Sequence, residues 1–211
     1  DNYKRYRYKH LIVSPFNSRR QFYKLIDNEI KNAKAGKEAY MIVKVNSLHD
    51  VGMSTKLYDA SRAGVKVKLI ARSINDVIPN IEGVSEHIEA ISIVDRFLEH
   101  ARILVFCNGG DELMYLGSAD WMTRNIDGRV EVMTPIYDKD VKNQLRHILN
   151  LQLADNVKAR LWDKDLSNEY KKDGNSKKVR AQLETYRFFK AMYEKAEKKS
   201  AKKQKKEKIE K

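Results

Sequence analysis

The sequence predicts an α/β domain, a mixed β-sheet flanked by helices and followed by a C-terminal helix and a basic tail. Three observations carry this expectation. Short apolar runs alternate with segments whose apolar residues recur at helical spacing, the pattern of a sheet covered by helices. Two runs, Ile103–Phe106 and Leu113–Leu116, flank the turn sequence Asn108-Gly109-Gly110 and read as an antiparallel hairpin. Near the end, Val179, Leu183, Tyr186 and Phe189 form one more helical stripe before the composition turns to Lys and Glu.

The elements follow in order. His10–Val13 reads as a strand, and Ser14-Pro15-Phe16-Asn17-Ser18 as a loop ending in an N-cap. Phe22, Leu25, Ile26 and Ile30 then share a helical face before Gly36. Tyr40–Val45 is a second strand. A helix over Asp50–Arg62 stops at Ala63-Gly64, and Val65–Ala71 is the next strand. Ser73–Ser85, with Pro79-Asn80 and Gly83, reads as a loop over the strand ends. Strands are expected at Ala90–Val94, Arg102–Phe106, Leu113–Leu116 and Arg129–Pro135, with a turn at Asn125–Gly128. Lys139–Leu153 is a helix with Val141, Leu145, Ile148 and Leu149 on one stripe, and Val157–Leu161 is a last short strand. The final helix begins near Lys178. Beyond it, residues 191–211 are expected to be a frayed helix or disordered.

The 211 residues suffice for one sizeable domain, and 42% hydrophobic content excludes disorder throughout. The net charge is +13. Met192–Lys211 holds nine Lys and four Glu, a net +5, so the body keeps +8 and calls for an anionic partner. The tail has no aromatic residue after Tyr193 to stack on bases, so it reads as a solvated helix end rather than a nucleic-acid arm. Cys107, the single cysteine, forbids an internal disulfide, suits a reducing cytosol and reads as a packing residue. No run approaches the about 18 apolar residues of a membrane span, and no signal peptide is visible. The chain starts at Asp1 and is expected to be a piece of a longer polypeptide.

Chemistry concentrates between Val94 and Asn125. His100 and Arg102 stand two apart at the start of an apolar run, and strand alternation would project both to one side. An imidazole beside a guanidinium suits phosphoryl chemistry: the His moves a proton or carries a phosphoryl group, and the Arg neutralises non-bridging oxygens. Arg72 falls at the carboxyl end of a strand, where open α/β sheets place ligands. Arg129 begins another strand, and Arg124 competes with it. Arg72, His100 and Arg129 at three strand ends would form a cationic pocket for a triphosphate. No Walker loop, GxGxxG, zinc spacing or paired carboxylates for Mg²⁺ stand out, and His10, His49, His87 and His147 lack the context of ligands.

The run from His100 through Gly117-Ser118-Ala119-Asp120 resembles one half of the phospholipase D superfamily, whose signature is His-x-Lys, then Asp, then Gly-Ser. Arg102 stands for the Lys, Cys107 occupies the Asp position, and Gly117-Ser118 comes three residues late. These departures are those of the bacterial type-1 polyphosphate kinases, and residues 8 to 190 resemble that family's C-terminal catalytic domain. The resemblance runs through LIVSPFNSRRQFYKLIDNEI, LIARSINDVIPNIEGVSEHIEAISIVDRFLEHARI, YLGSADWMTRNIDGRVEVMTPIYD and NVKARLWDKDLSN. Ser73-Ile74-Asn75-Asp76 departs from it locally.

The resemblance implies a phospholipase D-like domain over 1–190 and a Lys-rich tail over 191–211. It implies reversible transfer of the ATP γ-phosphoryl to polyphosphate through a phosphohistidine on a preceding domain. Mg²⁺ would be held mainly by that upstream domain and the nucleotide, with no metal ligand here. His100 matches the second catalytic His and Arg72 and Arg129 the phosphate-binding positions, with Arg102, Asp120 and Arg124 as support. Implied partners are ATP or ADP, inorganic polyphosphate, the upstream domains and further copies of the chain, with no specific nucleic acid. A cytoplasmic location is implied, with peripheral membrane association open. Two alternatives stand beside this: a phosphodiesterase half-site completed by dimerisation, and a non-catalytic polyanion-binding module.

Overall fold

The computed structural model describes residues 7–172, 174 and 177–209, with side chains as far as Ala201. The chain runs β1 (Ile12–Ser14), α1 (Ser18–Lys34), β2 (Tyr40–His49), α2 (Val51–Arg62), β3 (Lys66–Asn75), β4 (Ile88–Ile93) and β5 (Arg102–Phe106). A single 3₁₀ turn at Asn108–Gly110 leads to β6 (Leu113–Gly117), β7 (Trp121–Met122), α3 (Thr123–Asp127) and β8 (Glu131–Pro135). The chain then forms α4 (Lys139–Leu153), β9 (Ala159–Leu161) and α5 (Ala181–Ile209).

The strands form one mixed sheet in the order β1-β8-β6-β5-β2-β3-β4-β9, with β7 pairing β2 beyond its β5 neighbour. β2, β3 and β4 run parallel; β5, β6 and β8 extend the sheet antiparallel. The apolar runs bury both faces, as a helix-covered sheet requires. On one face Met41, Val43, Leu104 and Trp121 pack under Phe22 and Ile26 of α1 and Leu57 of α2. On the other, Ile42, Ile70, Ile91, Ile103 and Val105 pack with Leu149 of α4 and Ala181 of α5. Asp50 caps α2 by accepting from the Met53 amide at 3.0 Å, and Asp138 caps α4. Cys107 is buried with its Sγ 3.4 Å from the Glu38 carbonyl, a packing residue as expected.

The mixed, helix-flanked sheet matches the fold class expected from sequence, and five local differences have physical causes. β3 continues to Asn75, because β2 also runs on to His49 and pairs with it through a bulge. β5 begins at Arg102, so His100 precedes the strand rather than opening it. Asn125–Gly128 is mostly helical, since α3 buries Asn125 and Ile126. The Arg129 amide donates to the Arg124 carbonyl at 2.8 Å, closing that helix, so β8 starts at Glu131. The last helix starts at Ala181, whose amide is taken by Asp155, and continues to Ile209. Its Lys, Glu and Ala are good helix formers with no Gly or Pro to stop them.

Candidate functional site

The pairings bring the carboxyl ends of β2, β3, β4 and β6 and the amino ends of β5, β8 and β9 to one edge of the sheet. Arg72 is placed there by the β2–β3 bulge. Val45 pairs with Ala71 and Ser47 with Ile74, so Asn46 faces two residues, Arg72 and Ser73. A bulge re-aims the side chains it carries. Arg72 accordingly donates from Nε to the Asn46 Oδ1 at 2.8 Å, and from Nη2 to the same oxygen. It has no carboxylate partner among the described residues.

Arg102 turns elsewhere. Its Nε and Nη2 bind the two Asp120 oxygens at 3.1 and 2.9 Å, and its Nη1 donates to the His100 carbonyl at 2.9 Å. Both charged side chains are largely buried, at 13% and 8% exposure. Asp120 also accepts from the Asn46 and Ser47 amides at 2.8 and 3.2 Å. Burial works against its charged form, but the Arg102 bonds and the two amides outweigh it and hold Asp120 below the usual carboxylate range. Arg102 is therefore not a free fork for phosphate, although its charge still acts on the neighbouring imidazole. Arg102 orients the His100 backbone instead.

Gly117 and Ser118 are likewise structural. A Cβ on Gly117 would lie 2.0 Å from the Val132 carbonyl oxygen, so only glycine permits β6 and β8 to approach there. The Ser118 hydroxyl bonds to Glu131, which also accepts from Asn125 Nδ2 at 2.8 Å.

The His100 imidazole is exposed at the strand edge. Desolvation and the positive charges of Arg102, Arg72 and Lys44 lower its pKa, with Asp120 opposing. The imidazole is thus predominantly neutral near pH 7. Arg129 stands exposed at the same edge, two residues before β8, and Arg124 is exposed on α3; neither has a carboxylate partner among the described residues. The edge gathers Arg72, His100 and Arg102 closely. Arg129 and Arg124 belong to its α3 corner.

The segment before His100 is held by residues that sequence reasoning passed over. Asp95 is gripped by Arg180 through two bonds of 2.8 and 2.6 Å. Gln182, in the first turn of α5, accepts from the Phe97 amide at 3.0 Å, donates to its carbonyl at 2.8 Å, and reaches Glu99 Oε1 at 2.9 Å. The other Glu99 oxygen takes Gln152 of α4 at 2.8 Å and lies 3.5 Å from Lys44 Nζ. Lys44 is 2% exposed; burial lowers its pKa and Glu99 partly offsets this. The available signal was a lysine inside the apolar run Met41–Val45, where a buried charge demands a partner.

Mg²⁺ finds no fit among these residues. No group of three or more potential ligands occurs among the described residues. Asp120 is engaged by Arg102 and two amides, and Glu99 by Lys44, Gln152 and Gln182. No helix of the described residues is long and apolar enough to cross a membrane.

Comparison with known proteins follows the same lines. Residues 11–182 match the family described as polyphosphate kinase C-terminal domain 2. A polyphosphate kinase of Vibrio parahaemolyticus is 54% identical over 188 residues, covering 89% of this chain and 27% of the relative. One from Escherichia coli is 50% identical over 185 residues, covering 88% and 27%. The chain thus spans about a quarter of the length of the curated relatives it matches. The crystal structure of polyphosphate kinase from Porphyromonas gingivalis superposes with a TM-score of 0.86 at 41% identity, over 90% of this chain and 29% of that one. NucT from Helicobacter pylori, at 14% identity and a TM-score of 0.50 over 68% of this chain and 93% of its own, shares the fold alone.

Proposed function

The chain belongs to the polyphosphate kinase C-terminal domain 2 family, and from that premise we propose that it forms one wall of a polyphosphate kinase active site. The reaction is reversible transfer of the ATP γ-phosphoryl group to inorganic polyphosphate. The bond between the γ-phosphorus and the β–γ bridging oxygen breaks, and a bond to a histidine nitrogen of an upstream domain forms. The phosphoryl group then passes to a terminal polyphosphate oxygen. Mg²⁺, bound by that upstream domain and the nucleotide, would neutralise phosphate charge.

The residues of this chain act by positioning and charge. Arg72 binds phosphate oxygens, with Arg129 doing so from the α3 corner and Arg124 supporting it. His100 donates a hydrogen bond or proton to the oxygen that leaves phosphorus. Its pKa, lowered by burial and neighbouring cations, rises again when phosphate oxygens approach, so substrate itself favours the protonated donor. Arg102 and Asp120 are positioning residues, holding the His100 carbonyl and the end of β2. The observation that carries this reading is an exposed imidazole at the same sheet edge as Arg72, which rests on the Asn46 amide oxygen and has no carboxylate partner among the described residues.

Incubating the full-length polypeptide with ATP and Mg²⁺ tests it. The expected product is acid-insoluble polyphosphate with ADP released. Hydrolysis of a phosphodiester without polymer would support the half-site alternative, and polyanion binding without turnover would support the binding module.

A further inference from the structure

We propose that Arg160 and Arg72 together line a second phosphate subsite, which grips the polyphosphate chain beyond the reacting phosphate. This rests on the polyphosphate kinase reading and extends it to a strand that nothing above assigns to substrate.

The geometry begins at the sheet edge. β9 pairs antiparallel with β4 and sets Arg160 opposite Ser92. The Ser92 hydroxyl donates in turn to the Arg72 carbonyl of β3 at 3.0 Å. Arg72, Ser92 and Arg160 thus step across three neighbouring strands, about 10 Å at the usual inter-strand spacing. They line one cavity of about 430 Å³, with Val94, Trp162 and Asn168.

Arg160 is also held ready. Its Nη1 donates to the Asn168 carbonyl at 2.7 Å, and its guanidinium lies 4.0 Å from the centroid of the Tyr170 ring. Both partners are uncharged, so they fix the fork without neutralising it. Neither Arg160 nor Arg72 has a carboxylate within ion-pair distance among the described residues, whereas Arg19, Arg102, Arg146 and Arg180 all do. Two arginines without carboxylate partners lining one cavity give it a positive charge that a bound anion would offset. An extended chain of repeated charges meets both, which a single compact phosphate does not.

The test uses the full-length enzyme in the ATP-forming direction, with inorganic polyphosphate and ADP varied separately. Arg160→Ala should raise the KM for polyphosphate about tenfold, the factor that 1.4 kcal/mol gives. The KM for ADP should stay within about twofold on the same scale. The salt dependence of the polyphosphate KM should become shallower, since one screened contact is gone. Arg160→Lys should fall between, keeping charge but losing the fork. Tyr170→Leu loosens the support while leaving the charge, so it should preserve the wild-type salt slope. Arg160→Gln covers a folding defect in the Ala variant. A wild-type polyphosphate KM in Arg160→Ala, or equal increases for ADP and polyphosphate, overturns the subsite alone. If wild-type enzyme forms no ATP from polyphosphate and ADP, the proposed function falls and this inference with it.

Discussion

Arginine does opposite work in two regions of this molecule. At the junction of α1, α2 and α3, Arg19 is saturated. It binds both oxygens of Asp50 at 2.8 and 2.7 Å and Asp127 at 2.9 and 2.5 Å, and it touches the Tyr23 hydroxyl at 3.1 Å. Asp50, 4% exposed, also caps α2 and accepts from Thr123. At the carboxyl edge of the sheet, Arg72 and Arg160 rest on an amide oxygen and a backbone carbonyl. The first arrangement is closed and spends its charge on the fold. The second leaves its charge without a carboxylate partner among the described residues, and the proposed function assigns that charge to a ligand. Arg102 lies near the second region but belongs to the first kind, because Asp120 takes its fork. On the proposed reading, the arginine that meets phosphate is therefore set by the lack of a carboxylate partner and not by proximity to His100.

The largest effect expected is at the imidazole. General acid–base assistance contributes about 10²–10⁴-fold, so His100→Ala should lower kcat by that range while ATP binding persists. Alkaline-quenched enzyme mapped by mass spectrometry should carry no acid-labile phosphate on His100. A label there, or normal turnover by the variant, removes its role as donor.

A smaller loss should follow from slackening the segment that carries it. Gln182→Ala removes the paired bonds to Phe97 and the contact with Glu99. We expect kcat to fall about 10- to 100-fold through misplacement, with the KM for ATP little changed and the pH dependence of kcat displaced. A proportional change in every kinetic parameter, tracking only the folded fraction, would make Gln182 merely structural.

The closed region should respond in stability and not in substrate affinity. Asp50 has its pKa lowered to about 2, chiefly by the Arg19 hydrogen bonds against the cost of burial. Its charge therefore stabilises the fold fully above the ordinary carboxylate pKa, and this contribution disappears as pH falls through about 2. Asp50→Asn should cost about 2 kcal/mol at pH 7, with the gap from wild type closing in acid. Chemical denaturation at pH 7 and pH 2 measures it. An equal gap at both would place the effect outside the carboxylate's charge.

The elements were legible because periodicity reports burial directly. α4 falls on Lys139–Leu153 and β5 on Arg102–Phe106, as the stripes and runs predict. What the sequence hid is geometry that arises only between strands. The bulge opposite Asn46 keeps Arg72 inside β3 rather than at its end, and no local pattern in Leu69–Ser73 announces it. His100 and Arg102 look like neighbours on one face, yet the strand begins only at Arg102 and its fork closes on Asp120, eighteen residues away. Glu99 and Gln182 are separated by most of the C-terminal half, so their contact has no signature along the chain. Lys44 offered a cue, a charge among apolar neighbours, without naming Glu99 as its partner.

The central claim is that the arginines without carboxylates bind substrate phosphate. Calorimetric titration of full-length wild type and Arg72→Ala with ATP, over a range of salt and alongside thermal melting, tests it most directly. Loss of a charge-assisted contact worth about 1.5–3 kcal/mol should weaken binding at least tenfold and flatten its salt dependence. The melting temperature should move by no more than about 2 °C, the shift of a small stability change in a protein this size. Unchanged affinity in Arg72→Ala, or weakened binding with the salt slope intact and the melting temperature sharply lowered, would contradict it.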